Sequence, residues 1–131
     1  MLQIFFTFFV VGLLISGISI PLIKRRIPIN NWYGVRLPNT MKDKDSWYET
    51  NYRAGKLLFI LGLIISLVSS VFCFIISVDA VTYSIIMSLI TLVGTIVLMV
   101  KSIMIANNIT KQNKVQAVEE KDKMNPQNIN S

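Results

Sequence analysis

Histidine is absent from this chain, and cysteine occurs once, at Cys73. The first absence removes the commonest metal ligand and the commonest general base. The second precludes an intrachain disulfide, and Cys73, deep in an apolar run, reads as a small packing residue. Charge is also scarce, at 15% of residues against 53% hydrophobic, and it is missing from whole stretches. Leu2 to Ile23, Leu57 to Val78 and Ala80 to Val100 contain no Asp, Glu, Lys or Arg. Intramembrane hydrolysis by paired carboxylates, or by a Ser beside a base, therefore has no residues to work with. Carriers that place ionisable groups at membrane depth are disfavoured on the same ground. The loop carboxylates Asp43, Asp45 and Glu49 show no metal-ligand pattern. The expectation is a protein that is not an enzyme and uses no metal or cofactor.

What is present is apolar sequence of membrane-crossing length. Each uncharged run reaches the roughly 20 residues needed to cross a hydrocarbon core of about 30 Å. A soluble bundle of 131 residues has too little chain to bury so much uncharged sequence. The pattern predicts an all-α membrane protein with three transmembrane helices, over about 2–23, 57–78 and 80–101, and a single membrane domain over 1–106. The first span has no basic leader and no small-x-small cleavage site before Lys24, so it reads as a retained helix, with Pro21 near its end. The tail, 107–131, is polar and lacks aromatics, which predicts disorder or a frayed helix.

Basic residues set the expected orientation. The 24–56 segment carries Lys24, Arg25, Arg26, Arg36, Lys42, Lys44, Arg53 and Lys56, whereas the Ser77-Val78-Asp79 hairpin carries none and the tail again carries lysines. This predicts an external N-terminus, a cytoplasmic first loop and a cytoplasmic C-terminus in a multi-pass protein of a bacterial cell membrane. The +6 net charge is then a topology signal, not a nucleic-acid footprint. Small residues recur at helical spacing: Gly12 and Ser16, then Gly62, Ser66 and Ser70, then Ser84 and Ser88. Such stripes let helices approach closely in lipid, and they suit either a three-helix bundle or a homodimer of bundles. Asp79 is placed to cap the third helix, and Lys101 to snorkel at its far end.

The unusual residues collect between the first two spans. Pro28 and Pro38 extend their predecessors, Gly34 suggests a turn with positive φ or close backbone approach, and Trp32 and Tyr33 are natural interface anchors. Thr40 with Asp43 resembles a capping box, so the helix is expected from Met41, with Trp47, Asn51 and Gly55 along one face and Glu49 paired with Arg53. One helix of about 38 residues can run from there into the second span, or Gly55 can hinge an interfacial helix onto it. Arg36 is either one more surface charge or a latch folded onto Asp45, Glu49 or a helix end. Asn51 is placed to bond loop carbonyls.

Asn30, Gly34, Arg36, Pro38 and Thr40, followed by Trp47, Asn51, Gly55 and Gly62, resemble the signature of SdpI-type membrane proteins. Leu37 stands where that family usually has Thr. The resemblance covers about residues 27–75, and this chain corresponds to the C-terminal half of six-span members. That family is named for an immunity protein against a secreted killing factor that delays sporulation in siblings. The resemblance implies protection of the membrane from a peptide or protein toxin, together with recruitment of a cytoplasmic regulator. Other readings are a structural or regulatory subunit of a membrane complex and a small oligomeric channel or transporter. The lipid bilayer is the one partner common to all of them.

Overall fold

The computed structural model describes residues 2–74 and 79–124. Among them are three helices: α1, Leu2–Ile23; α2, Lys44–Phe74; and α3, Ala80–Met124. Among the described residues there are no strands, and each helix is long and apolar enough to cross a membrane. The lipid-facing surface is recognisable by its side chains. Leu14, Leu67, Val81 and Met99 are all more than half exposed, a distribution that belongs in hydrocarbon and would aggregate in water. The expected end of the second span at 75–78, the Ser77-Val78 part of the hairpin and the tail from 125 onward lie outside the described residues.

Helices α1 and α2 run antiparallel and cross at glycine. A Cβ on Gly12 would lie 2.6 Å from the Gly62 carbonyl oxygen, and one on Gly62 would lie 2.5 Å from that of Gly12. The backbones touch because neither residue has a side chain. Serines stitch the seam on both sides of this point. Ser16 donates to the Phe59 carbonyl at 3.1 Å, Ser66 to that of Phe9 at 3.1 Å, and Ser69 to that of Phe5 at 3.3 Å. A hydroxyl at membrane depth has no water to bond, so satisfaction across the helix pair replaces what solvent would supply. Gly62 is thus occupied against α1 within the chain. Its stripe's third partner is Ser69, not the expected Ser70, which bonds back to its own helix at Ser66.

Helix α3 packs antiparallel against α2 and barely touches α1. It turns Tyr83 and Met87 inward, where they join Ile65 in a fully buried cluster. The Tyr83 hydroxyl lies 2.5 Å from Ser69 Oγ, and its ring stands edge-on to Phe8. The expected Ser84–Ser88 seam is not formed: Ser84 bonds to the Val81 carbonyl and Ser88 is exposed. Asp79 caps α3 as expected, accepting the Val81 and Thr82 amides at 3.0 Å each.

The third helix does not end with its apolar run. It continues through the polar sequence to Met124, adding about 35 Å beyond Lys101 at 1.5 Å per residue. Two contacts hold the base of this extension: Ile109 is buried, and Asn113 Nδ2 donates to Ser46 Oγ at 2.9 Å and Asp43 Oδ2 at 3.2 Å. Lys, Gln, Ala and Glu then carry the helix on by propensity. Of the two expectations for 107 onward, disorder or a frayed helix, the chain is helical as far as Met124.

Candidate functional site

The segment between α1 and α2 is built around α1's last turn and one face of α2. Helix α1 closes on a Schellman motif: Arg26 N–H bonds to the Pro21 carbonyl at 3.1 Å and Arg25 N–H to that of Leu22 at 3.1 Å. Arg25 takes the left-handed position with φ 53°, where glycine is usual. Its guanidinium reaches α2, with Nη2 2.6 Å from Glu49 Oε2 and the group 5.0 Å above the Tyr52 ring. Arg53 grips the other oxygen of Glu49 at 2.7 Å. The electrostatic latch expected of Arg36 thus belongs to Arg25. Arg36 is exposed and donates to the Asn31 carbonyl, because Gly34 and Pro38 direct it away from α2.

The chain then turns twice. Asn30 makes an Asx turn, its Oδ1 accepting the Trp32 amide at 3.0 Å and the Tyr33 amide at 2.7 Å. This parts the two aromatics. Trp32 is 83% exposed, whereas Tyr33 turns inward and its hydroxyl donates to the Ile18 carbonyl of α1. Burial pushes the Tyr33 hydroxyl's pKa up. Pro38 occupies the second position of the turn closed by Thr40 N–H to the Leu37 carbonyl at 2.9 Å, where its fixed φ is favourable. Thr40, fully buried, accepts the Leu37 amide at 3.1 Å and donates towards the carbonyls of Leu37 and Val35.

Helix α2 begins at Lys44, three residues after the expected start. Thr40 is committed to the loop, and Asp43 is the cap, its Oδ2 accepting the Ser46 amide at 2.8 Å. The hydroxyl and amide of Ser46 hold the Asp43 carboxyl below the usual carboxylate range. The helix runs unbroken through Gly55, so no hinge forms there. Gly55 instead gives room to the end of α1: a Cβ would stand 3.0 Å from that of Leu22.

Two side chains of α2 tie the loop down. Trp47, completely buried, donates from its indole to the Ile27 carbonyl at 2.9 Å. Asn51 is buried one turn later. Its Oδ1 accepts the Val35 amide at 2.7 Å, and its Nδ2 donates to the Trp47 carbonyl at 2.9 Å. It therefore reads a loop amide, not the loop carbonyl expected. Gly34 is required beside it: φ is +103°, and a Cβ would collide with Asn51 Oδ1. Gly34, Thr40, Trp47 and Asn51 thus form one buried clamp, with Asn30 and Pro38 shaping the turns that feed it. Gly55 and Gly62 lie farther along α2 against α1, and Arg36 stays outside.

Three contributors had no sequence signal of their own: Arg25, which looked like one of three topology charges; Tyr33, which looked like a lipid anchor; and Asn113, in the polar tail. Next to the clamp, at the charged end, Arg25, Asp45, Tyr48, Glu49, Gln112 and Asn113 border a polar cleft of about 430 Å³. The clamp offers shape and rigidity. It brings no nucleophile against a base.

No curated protein and no solved structure matches the chain. One family model does, that of the SdpI/YfhL protein family, over residues 26–104. The match takes in the clamp, α2 and the apolar part of α3.

Proposed function

The chain belongs to the SdpI/YfhL protein family, and on that premise we propose that it is a non-enzymatic immunity protein that protects its cell membrane from a secreted peptide or protein toxin. The observation that carries this reading is the clamp. Gly34, Thr40, Trp47 and Asn51 are consumed in mutual hydrogen bonds and close packing, as expected of a scaffold that presents surfaces and not of a reaction centre. The excess of Lys and Arg in 24–56 and after Val100 supports a cytoplasmic charged end, with Asp79 on the outer side. On that orientation the toxin is met by the outer halves of the spans near Asp79. A cytoplasmic regulator is met at the polar cleft beside Glu49 and Asn113. Cells expressing the protein should survive a toxin dose that kills cells carrying the empty vector. Equal killing across the family's toxins would overturn the reading.

The helical extension of α3 favours a second reading, a subunit that docks a membrane complex through this arm. Co-purification separates the two. A dedicated partner retained without toxin supports the subunit, and retention only with toxin supports immunity.

A further inference from the structure

The loop and α3 enclose a groove of about 480 Å³, lined on one side by Gly34 to Leu37 and on the other by Thr95, Ile96, Met99, Ser102 and Ile103. Its place along α3 matters. The uncharged run ends at Val100 and an exposed Lys101 follows, so the groove straddles the level where hydrocarbon gives way to headgroups. From Ser102 to Thr95 it descends about 10 Å into the apolar zone. At its mouth stands Arg36, exposed and, among the described residues, bonded only through Nη1 to Asn31, with further donors of its guanidinium to offer.

The second observation is Ser102. Along α3, Ser84, Thr91, Thr95 and Thr110 each bond a carbonyl of their own helix. Ser102 does not. It is 5% exposed, its Oγ has no hydrogen-bond partner among the described residues, and it lines both this groove and the adjoining 220 Å³ cavity under Tyr33. A buried hydroxyl without a partner is unfavourable, and a ligand carrying an acceptor there removes that cost.

Basic mouth, buried hydroxyl just below it and apolar floor match, in order, the phosphate, the ester carbonyl and the acyl chain of a phospholipid. We propose that this groove is a binding site for an anionic phospholipid. Its phosphate pairs with Arg36, an ester carbonyl accepts from Ser102, and one acyl chain lies along Ile96 and Met99. Bound there, the lipid closes the side of the clamp that faces α3.

The test is native mass spectrometry of the purified full-length protein in micelles with equal amounts of phosphatidylglycerol and phosphatidylcholine. The anionic lipid should be retained as one adduct about fivefold more than the zwitterionic one, the ratio given by one basic side chain facing an anionic headgroup. Arg36→Gln should lower the phosphatidylglycerol adduct to the phosphatidylcholine level. Ile96→Trp fills the groove from an exposed position and should remove both adducts while leaving helicity and elution volume unchanged, so it decides the matter even if Arg36→Gln does not fold. Equal retention of the two lipids, or wild-type retention in Ile96→Trp, overturns the proposal. Displacement of the lipid by excess inorganic phosphate would assign the mouth to a free anion and overturn it as well.

Discussion

The seam between α1 and α2 and the attachment of α3 solve the same packing problem by different means. The first brings backbones into contact at Gly12 and Gly62 and extends through the loop to the Trp47–Asn51 clamp. The second hangs α3 on side chains: Tyr83 and Met87 at one end, Leu61 over Gly94 in the middle, and Asn113 at the other. Backbone contact admits few alternatives, because any added atom meets main chain. Side-chain contact tolerates exchange of groups of similar size. Apart from Arg36, the family motif lies on the first kind of surface, which ties α1's last turn, the loop and α2 into one unit with α3 docked beside it.

This contrast can be tested by substitutions of graded effect. Trp47→Ala should cost the most, about 3–5 kcal/mol for a fully buried indole, and should nearly abolish folded protein in a thermal-denaturation assay in detergent. Gly62→Leu comes next, at about 1–3 kcal/mol for overpacking, because its Cβ would already meet the Gly12 oxygen and the Ser16 amide. Tyr83→Phe tests the other surface. It removes one hydroxyl while Ser69 keeps Phe5 as a partner, and about 1 kcal/mol should be lost. If Tyr83→Phe proved as damaging as Trp47→Ala, the distinction between the two surfaces would fail. Arg36→Ala should change stability by less than about 0.5 kcal/mol, as for an exposed side chain without a buried partner.

The smallest effect is pH-dependent and lies at the start of α2. The Asp43 carboxyl has a folded pKa below its unfolded value, so its cap contributes above the ordinary value of about 3.9 and is lost as pH falls through the folded one. Midpoints should therefore hold steady at this cap from neutral pH to about 5 and decline only below about 4. Asp43→Asn keeps the cap and should flatten that acid limb. An unchanged limb in Asp43→Asn would place the acid sensitivity elsewhere.

The spans were legible in the sequence because uncharged length is a one-dimensional property, and Leu2 to Ile23 matches α1 residue for residue. The Gly34 turn was legible too, since few positions demand positive φ. Partner choice was not. Arg25 and Arg36 are equally basic in sequence, and only the three-dimensional path of the loop puts the former over Glu49. Thr40 and Asp43 are both good caps. The choice between them depends on Val35 and Leu37, whose carbonyls engage Thr40 first. The helical reach of α3 past Asn107 depends on Asn113 finding Ser46 some 67 positions away, a contact without local trace.

The glycine crossing has a dynamic corollary. Three serine-to-carbonyl bonds flank it, spread from Ser16–Phe59 to Ser69–Phe5, so sliding α1 along α2 would break them all together and drive side chains into main chain. Tilting about the crossing strains only the outermost bonds. Gly12 and Gly62 therefore act as a fulcrum. Force applied to one end of α1 would return at the other with reversed sense, and the clamp at Trp47 sits on the longer arm of α2, which runs farther from Gly62 back to Lys44 than on to Phe74.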